Sequence, residues 1–190
     1  KPLPLQYVEY MRRLFVGDLG QSLQTKNSVA HDLVTKFPAT LELITLAFVF
    51  MVVFGIPLGI VAAKHHGGIL DNATRFFAFS TVSVPSFFVG IVFQLGFGHF
   101  LNWFPITGVP SSAYSGEVVR APGFMLVDTL LSGSIAAHVD AWTHILLPAL
   151  ALSFSGMGQI IRITRSSMID VEGQDYIEAM RGYGLPTGMV

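Results

Sequence analysis

Six histidines and twelve carboxylates are the groups from which this 190-residue chain could build a metal or acid–base site, and it has no cysteine. That excludes disulfides, thiolate metal sites and cysteine nucleophiles. The histidines, His99, His138 and His144 among them, form neither an HExxH helix nor any other ligand spacing, so no metal site is expected. A nucleophile elbow (GxSxG) and a phosphate-cradling GxxxxGK[ST] loop are both missing from the sequence, so hydrolysis of an ester or of ATP by this chain is not expected. No catalytic residues are assigned.

The polar residues that remain of interest sit inside long apolar runs. Ser80-Thr81-Val82-Ser83-Val84-Pro85-Ser86 places four hydroxyls and a proline where an unsatisfied polar group is costly. Such a cluster either bonds the carbonyls freed around a proline kink or lines a wet path, and composition leaves both open. Ser83, Pro85, Ser86 and the mid-run amide Gln94 are therefore the candidates for a translocation path, although for Gln94 bridging between helices is the first expectation, ahead of substrate contact. Glu42, just after Pro38-Ala39-Thr40, is expected to serve as a first-turn acid at the start of the first run rather than as a proton relay. Pro57 breaks one backbone hydrogen bond in mid-run, and Gly55 and Gly59 permit close helix approach.

These residues need apolar elements to hold them. Hydrophobic residues make up 52% of the chain and charged residues only 12%, well below the roughly 25% charged of a soluble domain. Leu43–Ala63 has 21 residues without a charge, enough at about 1.5 Å each to cross a hydrocarbon core of about 30 Å. Residues 76–104 and 145–161 are two further uncharged runs, setting aside His99. The expected architecture is all-α and polytopic: an extracytoplasmic segment over 1–38, spans over 39–63, 76–104 and 142–163, a cytoplasmic loop over 64–75, an extracytoplasmic loop over 105–141, and a cytoplasmic segment over 164–190. Leu5 to Val16 has apolar residues at helical spacing and predicts an amphipathic helix on a membrane or on a neighbouring element.

Net charge is −1 with no basic block, so there is no nucleic-acid footprint. Lys and Arg divide six to five between the two sides; only their greater density in 64–75 and 162–190 favours those segments as cytoplasmic. The chain opens at Lys1 and stops directly after a turn signal, and both ends are expected to be internal to a longer protein.

One short stretch lies outside the apolar runs and carries its own signals. In Gly173 to Pro186, Asp175 and Glu178 have capping-box spacing, Gly184 fits a left-handed stop and Pro186 ends any continuation, predicting a helix of about nine residues. Glu178 and Arg181 can pair at i,i+3. A helix so short is marginal in water and must dock on something, either its own bundle or a partner.

Glu178-Ala179-Met180, with Gly184 six residues after the acid, resembles the EAA loop of ABC importer permeases, with Met180 in place of the second Ala. Gly17-Asp18-Leu19-Gly20-Gln21-Ser22-Leu23, Phe37-Pro38-Ala39-Thr40-Leu41-Glu42-Leu43, Phe104-Pro105-Ile106-Thr107-Gly108 and Leu146-Leu147-Pro148-Ala149-Leu150 are similar, in order, to segments of the oligopeptide and dipeptide permease family. The resemblance implies a multi-pass subunit of the cell inner membrane, with a span before Lys1 and about two more after Val190. It implies a second permease subunit, two ATPase subunits that hold ATP and Mg, and an extracytoplasmic solute-binding protein as partners, with no cofactor on this chain. It assigns Asp175, Tyr176, Glu178, Ala179, Arg181 and Gly184 to ATPase coupling.

The rival reading is a secondary transporter or channel subunit, which would need an ion-coupling carboxylate within a span, where Glu42 at the rim is the nearest. The purified permease alone is expected to bind no nucleotide. Equilibrium binding of labelled ATP checks this, and saturable binding would overturn it.

Overall fold

The computed structural model describes residues 2–106, 123–184 and 186. Among them the regular elements are helical: α1 (Leu3–Phe15), α2 (Val29–Lys64), α3 (Ile69–Ser83), α4 (Ser86–Phe93) running into a π-helical segment (Gln94–Phe100), α5 (Met125–Leu131), α6 (Ile135–Glu172) and α7 (Asp175–Gly182). The only strand-like pairing among these residues is an isolated bridge between Gln21 and Ser28. The chain divides into two compact units, Lys1–Glu42 with Ser112–His138, and Leu43–Ser111 with Val139–Val190.

In the first unit, α1 buries none of its residues. A loop then folds back onto the start of α2. The Ser22 N–H donates to the Asn27 carbonyl at 2.9 Å, and the Thr25 hydroxyl donates to the Asp32 carboxylate. Ser28 caps α2, its hydroxyl accepting the His31 N–H at 3.2 Å. The helix therefore starts at Val29, ten residues before the expected boundary at 39. An uncharged run marks where a helix matches hydrocarbon, whereas a cap marks where the helix begins. The 36 residues of α2 reach about 54 Å, well beyond a core of about 30 Å.

The early start also corrects the role expected for Glu42. It lies in the interior of α2 and does not cap that helix. Its carboxylate instead accepts the N–H groups of Met125 at 2.7 Å and Leu126 at 2.8 Å, the first two residues of α5. A helix of seven residues has few intrahelical bonds, so an anion on its open N–H groups contributes much of its stability.

The second unit is built on α6. Methyl groups added at Gly55 and Gly59 of α2 would lie 2.9 Å from Ile160 Cγ2 and 2.6 Å from Thr164 Cβ, and one at Gly156 would collide with the Met51 thioether. The offsets Met51–Gly156, Gly55–Ile160 and Gly59–Thr164 are constant, so here α2 and α6 run parallel in a four-residue register. On the other flank the partners run in opposite order. A Cβ at Gly158 would lie 2.5 Å from the Ala78 carbonyl oxygen and inside the Thr81 hydroxyl, and Asp71 faces Arg165, so α3 is antiparallel to α6. Ala78, Met157 and Ile161 form the buried core, with Met51 and Phe77 against it. Half of the apolar window of α6 is buried, against 17% for α2, which makes α6 the inner helix and leaves most of α2's apolar side chains outward, as lipid requires.

Two expected boundaries change in this unit. The span expected over 76–104 is two helices, α3 and the α4–π segment, meeting at 103°. Pro85 supplies no N–H for the Thr81 carbonyl and forces Val84 into extended backbone (φ −99°, ψ 124°), ending α3. The span expected over 142–163 lies inside a 38-residue helix that continues to Glu172. At its other end Ser134 caps the helix, its hydroxyl accepting the Ala137 N–H at 3.4 Å. Consequently α5 and the beginning of α6 fall within the region 105–141 expected to be loop, because their apolar residues make runs too short to register as spans. Residues 107–122 of that region lie outside the described residues.

Two substitutions test this framework. Gly158→Ala is expected to destabilise the protein by about 1–3 kcal/mol, lowering its melting temperature, because the new methyl meets backbone and not a movable side chain. Gly96→Ala, into open space, serves as the control. Glu42→Ala is expected to cost about 1–2 kcal/mol locally, seen as amide exchange at Met125 and Leu126 accelerated about tenfold or more. Unchanged protection at those two amides would remove Glu42 from the cap.

Candidate functional site

The close packing of α6 between α2 and α3 leads to a cluster at one end of the second unit. Here the end of α2, the turn 65–68, the start of α3 and the last turns of α6 converge. Arg165 Nε donates to Asp71 Oδ1 at 2.6 Å and Arg165 Nη2 to Oδ2 at 2.8 Å, a bidentate pair. The Gly67 N–H adds a third bond to Oδ2 at 2.9 Å. Asp71 is 0% exposed. A carboxylate without water needs donors in place of it, and here Oδ1 receives one and Oδ2 two. Removing either partner leaves a buried charge and typically costs about 3–5 kcal/mol. The sequence reading missed this pair, since its members lie 94 residues apart and each sits in an unremarkable polar stretch.

Beyond Arg165, α6 continues for two turns to Glu172, and a tight turn leads into α7. The Gly173 N–H donates to the Ile169 carbonyl at 3.1 Å, and the Gln174 side-chain amide donates to the Asp170 carbonyl at 3.0 Å. Gln174 is the extended N-cap residue (φ −80°, ψ 143°) and makes no side-chain cap. The expected capping box is thus not formed: Asp175 is the first helical residue rather than the cap, and Glu178 is the fourth. Both still lie in the first turn, where the open N–H groups favour negative charge. No ion pair joins Glu178 to Arg181 among the described residues. The left-handed stop is as expected, with Gly184 at φ +76°.

On this eight-residue helix Ile177 is buried, while Asp175, Tyr176, Glu178, Ala179 and Arg181 are exposed, as is Gly184 just beyond it. A single buried apolar residue anchors α7, and its charged and aromatic residues are exposed around the rest of the helix.

The path candidates are arranged differently. Ser83 ends α3, Pro85 is the N-cap residue of α4 and Ser86 its first residue, so these three share the elbow. The Ser80 hydroxyl donates to the Phe76 carbonyl at 2.9 Å, Thr81 to Ala78 at 2.9 Å and Ser83 to Phe79 at 3.0 Å. Of the two uses open to the hydroxyl cluster, these three serve helix carbonyls. Gln94 is not at the elbow. It opens the π-helical segment, about 12 Å of helix beyond Ser86, and its amide donates to the Ile106 carbonyl at 3.3 Å.

The chain matches the family described as "Binding-protein-dependent transport system inner membrane component" over residues 55–190. It is 37% identical over 190 residues to the di/tripeptide transport system permease protein DppB of Pseudomonas aeruginosa (strain UCBPP-PA14), covering 100% of this chain and 56% of that protein. Against the dipeptide transport system permease protein DppB of Escherichia coli (strain K12), identity is 36% over 186 residues, with 97% and 55% covered. Against the probable D,D-dipeptide transport system permease protein DdpB of the same strain it is 38% over 187 residues, with 98% and 54% covered. The chain spans about half the length of these curated relatives.

Proposed function

Because the chain belongs to the binding-protein-dependent transport system inner membrane components, we propose that it supplies half of the translocation path of an ATP-driven importer of peptides or related small solutes. It works with a second permease subunit, two ATPase subunits that carry ATP and Mg, and an extracytoplasmic solute-binding protein; the permease itself is non-catalytic. The end of the second unit that carries Lys64 to Arg75 and Arg162 to Gly184 faces the cytoplasm. The single observation that carries the coupling role is α7: eight residues, with Ile177 its one buried residue and Asp175, Tyr176, Glu178 and Arg181 all exposed.

Coupling is mechanical. Closure of the ATPases moves α7, and the motion passes through α6 to the spans, tipping the path between inward and outward states. Ser83, Pro85, Ser86 and Gln94 are the path residues in this reading. A secondary transporter would need a carboxylate available to a coupling ion. The Glu42 carboxylate is bonded to two backbone amides and that of Asp71 to Arg165, which favours the ATP-driven reading.

Gly184→Val places a β-branched residue at φ +76°, costing on the order of 1–2 kcal/mol in backbone strain, while its Cβ would meet no described atom within 4 Å. Glu178→Lys puts a cation into the positive first turn of α7, costing about 0.3–1 kcal/mol. Both variants are expected to insert and fold yet to lose uptake by about tenfold or more, with the ATPase subunits released or uncoupled. Co-purification of the ATPase and uptake are measured in the same membranes. Intact assembly with parental uptake in both variants would sink the coupling assignment.

A further inference from the structure

The Asp71–Arg165 pair joins α3 to α6 and belongs to neither α7 nor the elbow. Helices pack without such a pair, and apolar side chains of similar volume hold a core at least as well as a buried ion pair does. What the pair adds is geometry. A guanidinium fork meets a carboxylate in one plane at two points, so a bidentate contact fixes both the height and the rotation of α6 against α3. Two turns away on both helices, Gly158 seats against Ala78 and Thr81, and on the opposite flank α6 is held to α2 at Met51, Gly55 and Gly59. Sliding α6 by one turn would unseat all of these contacts together. The Gly67 N–H on the same carboxylate ties in the turn between α2 and α3 as well.

The geometry points to Asp71 and Arg165 as positioning residues that lock α6 to α3 in register, so that displacement of α7 reaches the elbow at Pro85 as movement of one rigid block instead of being lost in sliding. This rests on the coupling role proposed for α7. Arg165 is well placed for it, two turns before the end of the helix that carries α7, while α3 ends at the elbow itself. The pair touches neither ATP nor cargo, and acts through the helices it joins.

The test uses the full-length permease assembled with its partner subunits. Arg165→Lys keeps the charge but loses the fork, and the double variant Asp71→Leu/Arg165→Met replaces the pair by apolar volume. Spin labels at Ile69→Cys and Tyr183→Cys, both exposed positions in a stretch of chain without cysteine, report the distance between the start of α3 and the end of α7. Uptake per ATP hydrolysed and melting temperature are measured in the unlabelled variants. The double variant is expected to melt within about 2 °C of the parent, to show a broadened distance distribution and to lose about fivefold or more in uptake per ATP. Arg165→Lys is expected to broaden the distribution and to lower uptake per ATP to a smaller extent.

A parental distribution with parental uptake per ATP in the double variant would overturn the lock. So would uptake that falls in both variants only in proportion to assembled protein, because the pair would then serve folding alone. If the parent complex shows no ATP-driven uptake, the importer reading fails by itself. The distance distribution then decides the lock, broadening supporting it and identity overturning it.

Discussion

A carboxylate with no access to water cannot be left to chance in a helical protein, and the burial of Asp71 against Arg165 is the constraint around which the second unit is organised. The cost of desolvating two charges is offset only when the geometry is good and further hydrogen bonds support the pair. Here the bidentate fork supplies the geometry and the Gly67 N–H a third bond to the carboxylate. Meeting these conditions fixes where α3 begins relative to α6, and the antiparallel packing along Ala78, Thr81 and Gly158 follows from that placement. Small residues on α2 and α6 then bring the parallel pair close enough for the turn 65–68 to reach the ion pair.

Within this frame the two regions proposed to matter for transport differ in how they are held. The elbow at Pro85 is a covalent consequence of proline, with the neighbouring hydroxyls returned to helix carbonyls. Proline ends α3 without a tertiary partner, while the angle of 103° between the two helices is a property of the fold. The short helix α7 is the opposite case. It lacks a side-chain cap and buries one residue, so its position depends on α6 and on whatever its exposed face meets. A rigid support that ends in a loosely anchored, charge-bearing helix is the arrangement expected of a transmitting element, where local stability is low by necessity.

Glu42 shows how a residue can be identified for the right chemistry and the wrong helix. Its carboxylate does satisfy open N–H groups at a helix start, but those of α5 and not of its own helix. Sequence proximity to Pro38 suggested a local role, whereas the bonds made join residues more than eighty positions apart. Asp175 is a milder case. Capping-box spacing is present, but the extended residue falls at Gln174, one position early, and the box cannot close.

The sequence by itself determined the all-α character, the apolar runs, the proline break, the left-handed stop at Gly184 and the family, because each rests on local composition, on backbone stereochemistry or on motifs in order. Only the tertiary structure decided where α2 and α6 begin and end, the 103° bend, the Asp71–Arg165 pair and the helix that Glu42 caps. The physical reason is the same throughout. Hydrophobic length records what lipid requires and is blind to the polar ends of helices that project beyond it. Capping and ion pairing between residues eighty or ninety positions apart leave no periodic trace, since a lone Asp or Arg in a polar stretch reads as an ordinary solvated charge until the fold takes it out of water.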